Sequence, residues 1–235
     1  MNKYLTILTV FILFTACSSN EDKMKLTGNV KGLKKGTLLL QKIQDSLLVS
    51  IDSVSVNGSS LFSFHETVLE PEIYYLYLRL ENGTLKDDRI SFFAEANPIN
   101  ISTTLTNFAI DAKVTGSNNQ EKYKNYKKII DRYSDKNLEL IEQSFKATKQ
   151  GNDSLANKLD NTQKSILAKK YLATISFALS NKDFEISPYL IVSHVNDAKL
   201  VYLDSVYNNL SKKIKDSKYG KDLESLIQSR KNLDN

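Results

Sequence analysis

The residues able to do covalent or acid–base chemistry in this chain are few: one cysteine, Cys17, and two histidines, His65 and His194. His65 ends an alternating apolar run beside Glu66, and His194 follows Pro188 in a short apolar segment. A triad needs a nucleophile, a base and an orienting acid, and a zinc centre needs several spaced ligands; neither histidine has such a setting, so a serine hydrolase built on His65 or His194 finds no support. Glu66, Glu70 and Glu72 crowd around Pro71, but they lack the regular oxygen spacing and glycine of a calcium loop, and a solvated loop is expected. A glycine-rich phosphate loop, a nucleophile elbow and a Cys-x-x-Cys pair are all missing from the sequence. The expectation is a chain with no catalytic residue, no metal and no cofactor. Tyr74, Tyr75 and Tyr77 could line a carbohydrate or peptide surface, although β-propensity alone accounts for tyrosines there.

Cys17 is different, because its surroundings specify a reaction. The chain opens with Lys3, continues as an uncharged apolar run from Tyr4 to Phe14, and places Thr15-Ala16 before the cysteine. That is the order of a secretory signal. A spanning helix needs about 20 apolar residues, and this run breaks earlier, into Ser18-Ser19-Asn20-Glu21-Asp22. Leu13-Phe14-Thr15-Ala16-Cys17 resembles the bacterial lipobox, with Phe14 where that pattern usually has leucine. The resemblance implies cleavage after Ala16, diacylglycerol in thioether linkage on Cys17 and further acylation with palmitate-like chains. Residues 1–16 are then a signal peptide and 17–23 a lipidated tether. Each buried methylene contributes about 0.8 kcal/mol, and more than one acyl chain gives a stable attachment. The acidic tether resembles the export signals of Bacteroidetes surface lipoproteins. The expected address is the cell envelope, lipid-anchored at the outer membrane, on its periplasmic face or at the cell surface.

A chain of 235 residues, 41% hydrophobic and 25% charged, can bury one good core or two modest ones. Its net charge of +5 falls to +4 without Lys3, and the lysines alternate with acids along helical stretches. That is a solvated surface and not a nucleic-acid footprint, so no nucleic-acid partner is expected. With Cys17 lipidated, no thiol remains for a disulfide, and packing must hold the fold.

The elements that must position any site change character once along the chain. From Met24 to Thr115, β-rich runs such as Lys25–Val30, Thr37–Ile43 and Ile73–Leu80 are separated by Gly32, Lys34-Lys35-Gly36, Asn57-Gly58 and Asn82-Gly83. The spacing predicts an antiparallel β-sandwich, with Asn57-Gly58 as the clearest hairpin turn. Phe62 and Phe64 point one way and are core candidates; Tyr74, Leu76, Leu78 and Leu80 form the inward face of their strand, and Pro98 opens another. At Gly116-Ser117-Asn118-Asn119 the period lengthens to that of a helix. The predicted organisation is a sandwich over 24–116 and a helical region over 117–235, an α+β chain.

In the helical region Tyr123, Tyr126, Ile130, Tyr133, Leu138, Ile141 and Phe145 form the predicted buried stripe of a long helix ending near Gly151. A second helix restarts at Asn152 or Asp153 with Leu155, Leu159, Ile166, Ala173 and Phe177, giving an antiparallel hairpin. Ser187-Pro188 reads as a capped helix start. Leu200, Leu203, Tyr207, Leu210 and Ile214 mark one further helix, which Tyr219-Gly220 interrupts before a short final piece around Leu223 and Ile227.

Val30-Lys31-Gly32-Leu33, Ile51-Asp52-Ser53-Val54, Asn57-Gly58 with Phe62-Ser63-Phe64, Phe92-Phe93-Ala94-Glu95-Ala96-Asn97 and Val114-Thr115-Gly116-Ser117 together resemble the DUF4369 family of Bacteroidetes lipoproteins. The helical part with Ser217-Lys218-Tyr219-Gly220-Lys221 is similar to the segment that, in many relatives, leads into a thioredoxin-like domain of the thiol-disulfide interchange or peroxiredoxin type. The chain ends at Asn235, where that redox domain would begin, and has no cysteine pair to inherit its activity. Asp52-Ser53 offers acceptors for nearby backbone donors between strands, and Glu95 near Asn97 can close the turn before Pro98; both read as structural groups. Asp45-Ser46-Leu47, Asp52-Ser53-Val54, Asp153-Ser154-Leu155 and Asp204-Ser205-Val206 resemble the acceptor tripeptide of Bacteroidetes O-glycosylation, and Ser154, at a helix start, is the favoured site. The expected function is a non-enzymatic, membrane-anchored binding or scaffolding module with an envelope protein, peptide or glycan as partner. The alternative is an accessory half of a thiol-disulfide system whose thioredoxin-like partner is a separate chain.

Overall fold

The computed structural model describes residues 22–86 and 88–233, so Cys17 and the segment expected to be a signal peptide lie outside the described residues. Strands β1 (Lys23–Lys31), β2 (Lys35–Gln44), β3 (Leu47–Asn57), β4 (Leu61–Thr67), β5 (Glu72–Leu80), β6 (Ile90–Ala94), β7 (Pro98–Thr104) and β8 (Lys113–Thr115) come first. Helices α1 (Asn118–Lys149), α2 (Asp153–Ser180), α3 (Ile186–His194), α4 (Leu200–Asn209), α5 (Lys212–Asp216) and α6 (Lys218–Leu233) follow. The chain is α+β, with a β-sandwich ahead of a helical region.

One sheet runs β4-β1-β7-β8 and the other β3-β2-β5-β6. All pairs are antiparallel except β1 with β7, which is parallel, so the expected antiparallel sandwich needs that amendment. A second correction concerns Asn57-Gly58. It joins β3 to β4, strands of opposite sheets, and is a crossover, with the Gly58 N–H donating to the Lys34 carbonyl at 2.7 Å. The true hairpin joins β2 to β3 through Asp45 and Ser46, at φ 48° and 67°. Both central residues take left-handed conformations, as a type I′ turn requires, without a glycine.

Phe64, Leu38, Leu40, Leu76, Phe92 and Ile101 pack between the sheets with essentially no exposure. Burying each such side chain contributes about 1.5–3 kcal/mol. A register shift opposite Leu40 and Gln41 leaves Ile51 as an extra residue in β3, which lets Ile51 and Val54 both reach the core despite their opposite parity. In β5 the predicted leucine face does point inward, with Leu80 only partly buried. Its other face is also covered, because Ile73 and Tyr75 pack against helices.

Helices α1 and α2 form the expected hairpin. The buried face of α1 follows a heptad, Asn119, Tyr126, Tyr133, Leu140 and Ala147, with Tyr123, Ile130, Asn137 and Ser144 four residues after the first of each. The predicted stripe is right as far as Tyr133 and then leaves the interface: Leu138, Ile141 and Phe145 are 67%, 46% and 71% exposed. Three further expectations change. Leu200–Ile214 is two helices, broken where Leu210 and Ser211 turn extended. Tyr219-Gly220 does not interrupt a helix but lies in the first turn of α6, where Gly220 allows close approach: a Cβ there would stand 2.0 Å from the Ile214 carbonyl oxygen. Ser187 is not a cap; it lies inside α3, and its hydroxyl donates to the Ala178 carbonyl at 2.8 Å.

Candidate functional site

The outer face of β5 and β6 and the first turns of α1 meet α3 and α6 in a joint built largely of aromatic rings. Phe93 stands edge-on to Tyr123 and Tyr189, with centroids 6.2 and 5.2 Å away. Tyr189 continues to Tyr219 at 5.1 Å. Ile73 presents its backbone N–H to the Tyr219 hydroxyl at 2.9 Å, so a phenol of α6 caps a backbone donor of β5. Burial pushes the Tyr189 and Tyr219 hydroxyls far above the ordinary phenol range. Both are neutral hydrogen-bonding groups.

Carboxylates fix the joint at two points. Glu95, only 5% exposed, accepts from the Ser117 hydroxyl at 2.8 Å, the Asn118 N–H at 3.1 Å, the Asn119 N–H at 2.8 Å and the Asn119 side-chain amide at 2.9 Å. It thereby satisfies amides at the start of α1, where the helix dipole favours negative charge. Its hydrogen bond to Asn97 is there as expected, but joining the sandwich to α1 is its larger role. The same Asn119 amide donates to Glu185 at 2.9 Å, and its oxygen accepts from the Ile186 N–H at 2.8 Å, which ties in α3. At the second point Glu70 accepts from the Lys218 N–H at 2.7 Å, at the start of α6. Glu72 pairs with both Lys42 and Lys218. Burial works against the Lys42 ammonium, and the bond and charge of Glu72 more than offset it, raising its pKa. The loop expected to be solvated is thus part of this seam, and Glu72 is buried.

Three recesses border these seams. One of about 840 Å³ is lined by Lys42, Asp45, Glu70, Glu72, Lys218, Asp222 and neighbours; Glu72 is bonded to both lysines and Glu70 to the Lys218 N–H, so these groups are already engaged in holding β2 and β5 to α6. The other two share Tyr123, Lys127 and Asp131. The smaller, about 450 Å³, lies between α1 and α2 and is closed by His194. His194 keeps an exposed edge while its ring lies 5.7 Å from Tyr126 and 6.0 Å from Tyr189. Burial lowers its pKa, and the positive charges of Lys170 and Lys127 lower it further. The larger, about 740 Å³, opens between the edges of β6 and β8 and the outer side of α1.

The residues singled out by type fall apart in space. His65 is an exposed residue of β4. Tyr74 faces the sandwich core, Tyr75 the helices, and Tyr77 lies under Arg89 at 4.5 Å, so the three do not form one surface. Ser154 is exposed in the first turn of α2, as is Ser46 at the β2–β3 turn, while Ser53 and Ser205 sit within β3 and α4. Among the described residues no group of three His, Cys, Asp or Glu is placed to hold a metal ion, and no helix is long and apolar enough to cross a membrane. From the sequence Glu95 is only a turn-closing group and Tyr219 only part of a helix break, while Asn119 and Glu185 carry no expected role; the change of period at Gly116-Ser117-Asn118-Asn119 marks the place of the joint but not its bonds.

Residues 24–123 match the model of a domain of unknown function, DUF4369. The β-sandwich is a DUF4369 domain. The match runs past β8 into α1 as far as Tyr123, and it therefore includes the helical turns that Glu95 of the DUF4369 domain holds. None of the curated proteins compared with the chain matches it.

Proposed function

We propose that this protein is a lipid-anchored component of the bacterial cell envelope that works by non-covalent binding at the cleft between its DUF4369 domain and its helical arm. One observation carries the binding role. The buried acids Glu72 and Glu95 are engaged in joining strands to helices and Glu185 in joining α1 to the start of α3, whereas Lys113, Lys124, Lys127 and Lys128 around the β6–β8 opening have no hydrogen-bond or ion-pair partner among the described residues. Cations left without partners beside a recess are where an external ligand gains most. His194 is walled by tyrosines and lysines, an environment suited to packing and not to a proton relay.

The anchor rests on Leu13-Phe14-Thr15-Ala16-Cys17 and the acidic tether behind it, with the outer membrane as the proposed site and Ser154 as a proposed O-glycan acceptor. Metabolic labelling with palmitate and membrane fractionation of the natural protein, beside Cys17→Ala, test it. The wild type should carry label and sediment with membranes, and the variant should lose both. A mature protein that keeps residues 1–16, or carries no acyl group, would overturn the anchor. Recovery under mild detergent of no partner protein, peptide or glycan would overturn the binding role.

A further inference from the structure

The β6–β8 opening has a feature that lysines alone would not supply: an unpaired strand edge. Strand β6 ends its sheet and pairs only with β5. The Phe93 N–H is turned away from β5, since it donates to the Gln120 side-chain oxygen at 3.0 Å. By the alternation of an antiparallel strand, the Ser91 N–H and carbonyl turn the same way, toward the recess that Ser91 and Gln120 both line. The edge is half closed by one glutamine and open one pair further on.

The two walls of the recess differ. On the helix side stand Lys124, Lys127 and Lys128, with Asp131 as the one acid among the lining residues; on the sandwich side Ala109, Ile110, Ala112 and Val114 stand with Arg89 and Lys113 among them, and Ile110 is 85% exposed. A strand added to β6 would direct successive side chains to opposite faces, one toward the α1 lysines and the other toward the Ile110 wall.

Resting on the binding role proposed above, we infer that this opening takes an extended peptide segment that pairs with the free edge of β6 and alternates carboxylate with apolar side chains. The carboxylates meet Lys124, Lys127 and Lys128; the apolar residues cover Ile110 and Val114; the peptide backbone takes the Ser91 N–H and carbonyl. Exposed edges ordinarily invite uncontrolled pairing. Here the lysine wall restricts the choice to acidic strands, because a basic or neutral strand would leave those charges uncompensated.

Fluorescence anisotropy of the full purified chain in detergent micelles, with a labelled peptide alternating valine and glutamate, tests this directly. Saturable binding that weakens with added salt is expected. Lys124→Glu with Lys128→Glu should weaken it at least about tenfold, and so should N-methylation of alternate peptide amides. Lys158→Glu, an exposed change on α2, should leave it unchanged, and the same peptide with lysine for glutamate should not bind. Equal binding of the N-methylated peptide, or of a single-stranded oligonucleotide, would show a general polyanion site and overturn the assignment. So would undiminished binding to the double variant, no binding to the wild type, or peptide-sensitive dimerisation that seats a second copy of the chain in the opening. Each of these outcomes leaves the acylation and partner-recovery results standing, so the groove can fail separately from the anchored-module role.

Discussion

The DUF4369 core and the joint between that domain and the helices are both buried, yet they are assembled from different materials. Between the sheets, Phe64, Leu40, Leu76 and Ile101 exclude water by shape alone. At the joint, tyrosines and carboxylates dominate, and nearly every contact has a direction: Glu95 onto the first amides of α1, Tyr219 onto Ile73, Glu70 onto Lys218. Apolar packing is strong but tolerant of small shifts, whereas hydrogen bonds to a buried carboxylate require a set geometry. The sandwich is therefore built for stability, and the joint for a defined angle between domain and arm, which a cleft shared by both demands.

Substitutions can break this comparison, and the largest effect belongs to the apolar side. Phe64→Ala should cost about 3–5 kcal/mol, measured by urea unfolding, because the closed core cannot collapse around the void. A much smaller loss would mean that the sandwich is less tightly packed than its burial indicates. Glu95→Ala should cost about 3 kcal/mol, since it leaves the Ser117, Asn118 and Asn119 donors without their acceptor. The loss should appear first in helical signal, so coincident loss of strand and helix signals would show the two regions to be one cooperative unit. Tyr219→Phe removes a single hydrogen bond and leaves the Ile73 N–H unsatisfied, for about 1–2 kcal/mol.

A pH titration sharpens the contrast further. Burial beside Tyr123, Tyr126 and Tyr189, together with Lys127 of α1 and Lys170 of α2, holds the His194 pKa below its unfolded value. The unfolded chain therefore binds the proton more readily. Stability from this group is full above the ordinary histidine value of about 6.5 and declines as pH falls through it toward the lowered folded pKa. His194→Gln should flatten that part of the stability–pH curve, and an unchanged slope would assign it to other groups. The smallest effect belongs to the far end of the hairpin, where Phe145→Ser at an exposed position should alter stability by no more than about 0.5 kcal/mol.

How much of this was legible in the amino-acid order depended on whether the signal was local. Alternation in Phe62 and Phe64, the punctuating glycines and the change of period at Gly116 all report on near neighbours, and they point to an α+β chain with strands first. Turn assignment went astray where a preference competed with topology: Asn57-Gly58 has the stronger hairpin composition, but Asp45-Ser46 closes the hairpin. The α1 stripe failed after Tyr133 because its inner face continues through polar residues. Ser144 is there to reach Asp160 at 2.7 Å, while Leu138 and Phe145 are left outside. The joint was least legible. The bonds of Glu95 to Ser117 and Asn119, and of Tyr219 to Ile73, span 22 to 146 positions, and no periodicity encodes a partner at such a distance.

The parallel pairing of β1 with β7 has a mechanical consequence. β1 lies mid-sheet, bonded to β4 on one side and β7 on the other. A pull transmitted through the residues before Lys23 would load both ladders in shear, the direction in which many bonds must yield together. The same placement sets an order on assembly: a chain emerging first end first must deliver residues through Thr104 before its earliest strand can find its second neighbour.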